Sequence, residues 1–293
     1  MNGIIICNQE IGHNQYKIER FKEEFSKKGI KLDVFLNNGT LAEIRNNEIK
    51  INLPKCDFII YLDKDIYLAR MLEKAGYRLF NKADFIKLCD DKVLTFIACS
   101  NLGIRMPKTF AGPLMYRDLD ESNYEFLKTV EKELGYPMVV KKVYGSLGEG
   151  VYLVKTPEEL RKLYAEIYRN PILFQEYIPS SRGKSLRIMV IDQKVIGGFI
   201  RFNHTDFRSN FGDTADGRTL EHPEKYFGFA QDIADKLKIE YAGIDLLVGE
   251  DDNPILCEIN SNAFFEEFEK VTGINVAEKV VDLIKKKMNY EQK

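Results

Sequence analysis

Apolar residues follow two rhythms along this chain. The runs Ile4–Cys7, Leu32–Leu36 and Phe58–Leu62 read as buried strands. Between the first two, Ile18, Phe21 and Phe25 recur at spacings of three and four, which marks a helix face, and Gly29 stops that helix. A shorter helix over Ile66–Lys74 ends at Gly76. Strands and helices alternating in this way predict βαβ units, hence a small parallel α/β domain to about Leu88. No GxGxxG follows the first strand, so this domain is not read as a dinucleotide site.

Further along, a helix is expected from about Asp91 to Leu102, with Val93, Leu94, Ile97 and Ala98 inward and Gly103 as its stop. Met138–Val143 and Val151–Val154 read as strands joined by Tyr144-Gly145-Ser146-Leu147-Gly148-Glu149-Gly150. Thr156-Pro157-Glu158-Glu159 has the form of a helix start, with Thr156 as N-cap, Pro157 in the first turn and Glu159 closing a capping box. Phe174–Pro179 reads as a link between lobes. Strands follow at Leu186–Ile191 and Lys194–Phe202, then a loop and a helix from about Pro223 to Leu237. The runs Tyr241–Val248 and Ile255–Ile259 flank a polar turn with Gly249, Asp251, Asp252, Asn253 and Pro254, which predicts a β-hairpin. A last helix, Val276–Lys287, would bury Val276, Val280 and Ile284. The fold class is mixed α/β.

At 293 residues the chain is long enough for a sizeable core and two or three lobes. It is 44% hydrophobic and 30% charged, the mix of an ordinary soluble protein. A net charge of −2 gives no reason to expect nucleic acid or an anionic membrane as partner. Five cysteines without a CxxC pair, and three scattered histidines, argue against zinc. Free thiols and no signal peptide point to the cytoplasm.

Four groups of residues could carry chemistry. On the hairpin, Asp245 can meet Glu258 and Asn260, which are two apart and share a face. Three hard oxygen ligands suit Mg²⁺, which takes few protein ligands and completes its shell with water and phosphate. The alternative is polar decoration of an exposed hairpin. The loop Gly145–Gly150 has three glycines in six residues, so its backbone N–H groups can approach a phosphate, though a plain hairpin loop accounts for it too. Lys141 and Lys142 point to opposite strand faces, and Lys141 shares its face with Val139 and Val143, where an anion would make its burial tolerable. Arg201 and Arg208 flank the turn at Asp206, and two arginines so placed can bind developing negative charge. His204 between them is read as incidental. Lys92, after Asp90-Asp91 at a helix start, reads on its own as solvated.

Taken in order, these segments resemble the RimK-like branch of the ATP-grasp superfamily. The series is Asp91-Lys92, Val139-Val140-Lys141, the glycine loop, Gln175-Glu176-Tyr177-Ile178 and Gly183-Lys184-Ser185-Leu186-Arg187. It continues with Phe207-Arg208-Ser209-Asn210, Gly243-Ile244-Asp245-Leu246-Leu247, Glu258-Ile259-Asn260-Ser261 and Thr272-Gly273-Ile274-Asn275-Val276-Ala277. The resemblance runs over nearly the whole chain. It implies an ATP-grasp fold behind an N-terminal Rossmann-like domain, divided at 1–88, 89–175 with the glycine loop, and 176–293 with the metal site.

The same resemblance implies roles. Lys92 and Lys141 would hold ATP phosphates, under a flexible loop with Gly145, Ser146, Gly148 and Gly150. Gln175, Glu176, Tyr177 and Ile178 would form the adenine hinge, Glu176 bonding the exocyclic amine or its surroundings. Arg208 would face the γ-phosphate and acyl phosphate, with Asn210 beside it, and Arg187 and Arg201 would be basic positions around the nucleotide and acyl site. Asp245, Glu258 and Asn260 would hold two Mg²⁺ ions, Glu258 bridging, with Mn²⁺ as a substitute. Ser185 departs from the pattern, which usually has an acid there to meet the ribose hydroxyls. A serine bonds a hydroxyl more weakly than a carboxylate does.

The activity implied is ATP-dependent ligation of a carboxylate substrate to an amine, an amino acid, peptide or protein terminus, through an acyl phosphate with release of ADP and phosphate. The alternatives are an ATP-grasp phosphotransferase and a nucleotide-binding regulatory module without turnover. A complete metal and arginine set argues against the module. A homo-oligomer stays open.

Overall fold

The computed structural model describes residues 1–9, 11–210 and 215–290. Its first part runs β1 (Asn2–Asn8), α1 (Gln15–Lys27), β2 (Lys31–Asn37), a small hairpin of β3 (Ala42–Arg45) and β4 (Glu48–Ile51), β5 (Phe58–Leu62), α2 (Ile66–Lys74), β6 (Leu79–Phe80) and α3 (Ala83–Asp90). A parallel sheet in the order β2-β1-β5-β6 results. β1 is central, and Ile4, Ile5 and Ile6 are at most 1% exposed, which is why this strand reads as a continuous apolar run. Its side chains alternate: Ile5 and Cys7 pack with α1, while Ile4 and Ile6 pack with α2 and α3.

The second part comprises α4 (Lys92–Cys99), β7 (Thr109–Ala111), α5 (Glu125–Leu134), β8 (Met138–Lys142), β9 (Val151–Val154), α6 (Pro157–Ile167) and β10 (Ile172–Glu176). Its antiparallel sheet has the order β7-β10-β8-β9. Met138 and Val140 pack on α5 and α6. Val139 and Lys141 are therefore left on the opposite face. Thr156 caps α6 by accepting from the Glu159 N–H at 3.2 Å. The Glu159 carboxylate accepts from Lys155 N–H at 2.8 Å rather than from the N-cap itself.

The third part has β11 (Lys184–Ile191), β12 (Lys194–Asn203), β13 (Ala215–Thr219), α7 (Glu224–Leu237), β14 (Tyr241–Val248), β15 (Pro254–Asn260), α8 (Glu266–Thr272) and α9 (Val276–Tyr290). Its sheet is antiparallel, in the order β13-β12-β11-β14-β15. Leu186, Ile188 and Val190 of β11 pack on α7. Met189 and Ile191, on the other face, join the core that holds Phe21, Phe25 and Phe58 of the first part and Val276, Val280 and Ile284 of α9. The last helix thus completes the cover of the first sheet.

One expected face was wrong. α4 buries Lys92, Thr95, Phe96 and Cys99, and Ile97 is 60% exposed. The helix is rotated because Lys92 turns inward to accepting carbonyls, as described next. α3 and α5 had no counterpart in the expected elements.

Candidate active site

The third sheet brings its functional side chains together by register alone. Glu258 pairs with Asp245, Asp245 with Arg187, and Arg187 with Phe199, so one row crosses β15, β14, β11 and β12. Ser185 pairs with Arg201 in a neighbouring row. Positions 185, 187 and 189 share the face turned away from α7. An irregularity after Asp245 sets Leu246 opposite Leu256, so that Cys257 is the extra residue beside Glu258.

Asp245 is the electrostatic centre. It is 3% exposed and accepts from Arg187 Nε at 2.5 Å, Arg187 Nη2 at 2.9 Å and Arg201 Nη2 at 2.9 Å. Burial pushes its carboxyl up, but the two guanidinium groups outweigh burial and hold it down at about 2. Gly243 makes room for this pairing, because a Cβ there would lie 3.0 Å from Arg187 Cδ. Asn260 Nδ2 donates to Glu258 Oε1 at 3.0 Å and Asp245 Oδ2 at 3.3 Å.

The second sheet supplies the opposing wall. Lys141 Nζ donates to Gln175 Oε1 at 2.7 Å, and Gln175 Nε2 donates to Thr109 Oγ1 at 2.9 Å. Asp91 caps α4 through Leu94 N–H at 3.0 Å, which sets Lys92 in the first turn. Lys92 is buried, and its Nζ donates to the carbonyls of Gly145 (3.0 Å) and Val143 (3.2 Å). Burial lowers its pKa, with Glu258 opposing the shift and Lys141 adding to it. Arg208 is clamped on Asp206 through Nε and Nη2, both at 2.9 Å, and its Nη1 donates to Gly148 O at 2.8 Å. Lys64 reaches Ser146 Oγ at 3.0 Å from the first part. The glycine loop is therefore held down from two sides.

Two cavities adjoin here. The cleft between the second and third sheets is small, about 110 Å³, with Lys92, Lys141, Gln175, Arg208, Asp245 and Glu258 among its walls. A larger one, about 810 Å³, opens toward α1 and includes Lys17, Arg187, Arg201, Asn260 and Asn262. The loop residue Ser146 borders both.

The model of the RimK-like ATP-grasp domain matches residues 90–284. The chain belongs to that family. An uncharacterized protein of Mycoplasma pneumoniae is 32% identical over 83% of this chain and 84% of its own. Human N-acetylaspartylglutamate synthase A is 32% identical over 75% of this chain and 55% of the synthase. The ATP complex of D-alanine–D-alanine ligase from Bacillus anthracis shares the fold, with TM-score 0.72, 18% identity and coverage of 99% of this chain and 97% of that one. The fold is thus that of the ATP-grasp carboxylate–amine ligases, and the protein is a ligase of that family, which uses ATP.

Within this RimK-like frame, most of the residues singled out in the sequence border the small cleft: Lys92, Lys141, Gly145, Ser146, Gly148, Gln175 to Ile178, Ser185, Arg201, Arg208, Asn210, Asp245 and Glu258. Three do not. Arg187 and Asn260 border the larger cavity. Gly150 lies behind the loop, at φ +68°, where a Cβ would press on the Lys142 side chain at 3.0 Å. Glu176 turns its carboxylate to Lys108 N–H at 3.1 Å, and Ser185 Oγ is bonded to Ser209 Oγ at 2.5 Å. His204 is exposed and borders neither cavity. Among the described residues no cluster of three His, Cys, Asp or Glu side chains suits a metal. The donor set at the hairpin is instead two carboxylates and an amide, hard ligands few enough to leave room for water and phosphate, which fits Mg²⁺.

Two contributors escaped the sequence reading. Asp206 orients Arg208, and its adjacency to that arginine was a readable sign. Lys17 lies at helical spacing from Phe21, so it had to fall on the buried face of α1.

Proposed function

We propose that this RimK-like protein joins an amino-acid amine to a carboxylate substrate through an acyl phosphate, releasing ADP and phosphate. The observation that carries the reading is the convergence of Lys92, Lys141 and Arg208 with Asp245 and Glu258 around one cleft, with Asn260 bonded to both carboxylates from the adjoining cavity. Cations of one wall face carboxylates of the other, the arrangement a polyphosphate and its counter-ion would need.

Lys92 and Lys141 hold the phosphates of ATP, exchanging their present carbonyl and amide partners for phosphate oxygens. The backbone of Gln175 to Ile178 receives adenine. Asp245, Glu258 and Asn260 hold two Mg²⁺ ions, for which Mn²⁺ can substitute. Magnesium supplies charge neutralisation on the phosphates. The substrate carboxylate attacks the γ-phosphorus, the bond to the β-phosphate oxygen breaks, and ADP leaves. Arg208 stabilises the charge that grows on the transferring group. The amine then attacks the acyl carbon, the bond to the phosphate oxygen breaks, and an amide and phosphate result. The glycine loop, closed by Arg208 and Lys64, keeps water from the acyl phosphate.

Glutamate is the first amine to test, because the human relative is named for a product containing it. The chain spans about half of that relative. The proposed division is 1–88, 89–175 and 176–293, one larger sheet falling mainly in each part. The five cysteines are free, which suits a reducing compartment such as the cytoplasm. Among the described residues no helix is long and apolar enough to cross a membrane.

The test is nucleotide chromatography after incubation with ATP, Mg²⁺, candidate acids and a panel of amino acids. ADP and phosphate that rise with an added amine support the ligase. Stoichiometric AMP would overturn it, and ADP release indifferent to every amine would favour the phosphotransferase.

A further inference from the structure

The larger cavity holds a cation without an anion. Lys17 is 1% exposed on the inner face of α1, yet its Nζ meets only Asn262, through Oδ1 and, at 3.4 Å, the backbone carbonyl, and the Phe264 ring at 4.5 Å. Among the described residues no carboxylate forms an ion pair with it. The other lysines of this cavity are already paired, Lys64 with Asp90 at 2.6 Å and Lys270 with Glu266 at 2.6 Å. A second donor in the same cavity is incompletely satisfied: Arg201 is 7% exposed, and among the described residues its Nε has no acceptor although Nη2 bonds Asp245. Glu267, on the cavity wall, has its pKa raised by burial, with Arg201 and Arg187 opposing, and among the described residues it forms no ion pair with Lys17. A buried ammonium without a counter-charge costs the fold free energy, and so does a buried unpaired N–H. Both groups line the larger cavity, where an incoming carboxylate would supply the acceptor and the counter-charge they lack.

We propose that Lys17, with Arg201 Nε, is a specificity-determining residue that holds a free, non-reacting carboxylate of the ligase's acidic substrate in the larger cavity. The inference rests on the ligase reading above. The phosphates of ATP are assigned to the neighbouring cleft, where Lys92, Lys141 and Arg208 stand. The larger cavity adjoins the acyl-transfer centre through Arg187, Arg201 and Asn260, so what it receives is the remaining reactant. Lys17 comes from the first part of the chain, outside the matched RimK-like segment, and Arg201 from within it, so the proposed substrate site draws on both.

The test titrates the full chain, in the presence of Mg²⁺ and a non-hydrolysable ATP analogue, with glutarate, its uncharged diamide and inorganic phosphate, following the melting temperature. Glutarate should bind saturably, and the diamide and phosphate should bind much more weakly. Lys17→Met should weaken glutarate roughly 10- to 100-fold, the usual loss for a buried charge-assisted bond. Affinity for the ATP analogue should not change. Lys17→Gln, which can still bond Asn262, should lose glutarate equally, and Lys17→Arg should retain part of the binding. Wild-type affinity in the Met or Gln variant would overturn the proposal, as would equal binding of the diamide or phosphate, or no glutarate binding by the wild type. A ligase reading that fails shows differently: no amine raises ADP release, while Lys17-dependent glutarate binding persists.

Discussion

The two adjoining cavities differ in size and in how completely their cationic donors are satisfied. In the small cleft every named cation has a partner within the chain: Lys92 holds two carbonyls, Lys141 holds Gln175, and Arg208 holds Asp206 and the glycine loop. In the larger cavity Lys17 Nζ holds the Asn262 side chain and carbonyl but, among the described residues, no carboxylate, and Arg201 Nε has no acceptor there. The cleft measures about 110 Å³ and the cavity about 810 Å³. A site on a hinged loop can satisfy its charges internally and exchange them when ligand enters.

The largest effect should come from the hairpin shared by both cavities. Glu258→Gln keeps the shape and a bond to Asn260 but removes the charge proposed to hold Mg²⁺. Turnover should fall on the order of 10³-fold, several kcal/mol of barrier, with an unchanged melting curve. Near-normal turnover would mean that the hairpin is only structural.

Arg208 separates closure from chemistry. Arg208→Ala should lower kcat by roughly 10²–10³-fold, the usual cost of one oriented donor, while ATP binding weakens much less because Lys92 and Lys141 remain. Arg208→Lys should rescue only in part, since it brings charge without the planar fork that spans Asp206 and the loop carbonyl. Steady-state turnover beside an ATP titration decides it. Poor ATP binding with normal turnover at saturation would assign Arg208 to holding the loop alone.

The smallest effect probes the open cavity without ligand. Burial lowers the Lys17 ammonium from 10.5 to about 7, with Cys7 opposing the shift and Arg187 adding to it. Between those two values the unfolded chain binds this proton more readily than the fold does. Lys17 therefore destabilises the protein fully below pH 7, and the penalty fades as pH rises toward 10.5. Lys17→Met removes the penalty. Its melting temperature should exceed that of the wild type by a few degrees below pH 7, with the difference shrinking toward pH 10. A difference independent of pH would mean that no buried charge is carried there.

Much of this was legible along the chain because periodicity reports which face of an element is apolar. Ile4–Cys7, the helix through Ile18, Phe21 and Phe25, and Ile66–Lys74 stand where that rhythm put them. The hairpin was readable for the same reason: two strands and a short turn leave few registers, so Asp245 had to lie near Glu258 and Asn260. Periodicity does not report what lies opposite a face. The apolar positions of the 91–102 segment suggested that Ile97 points inward, yet the helix turns Lys92 to the carbonyls of a strand end some fifty residues away and leaves Ile97 in water. Lys17 shares the apolar face of α1, but only the packing of α1 beside the Asn262 segment made it a cation bordering the larger cavity. The pairing of β11 with both β12 and β14 likewise set Arg187 and Arg201 on Asp245. Local sequence determines the turn, the cap and the alternation, because those depend on neighbours a few bonds away. Which charges meet across sheets depends on long-range register and on how helices seat, and only the tertiary structure decided that.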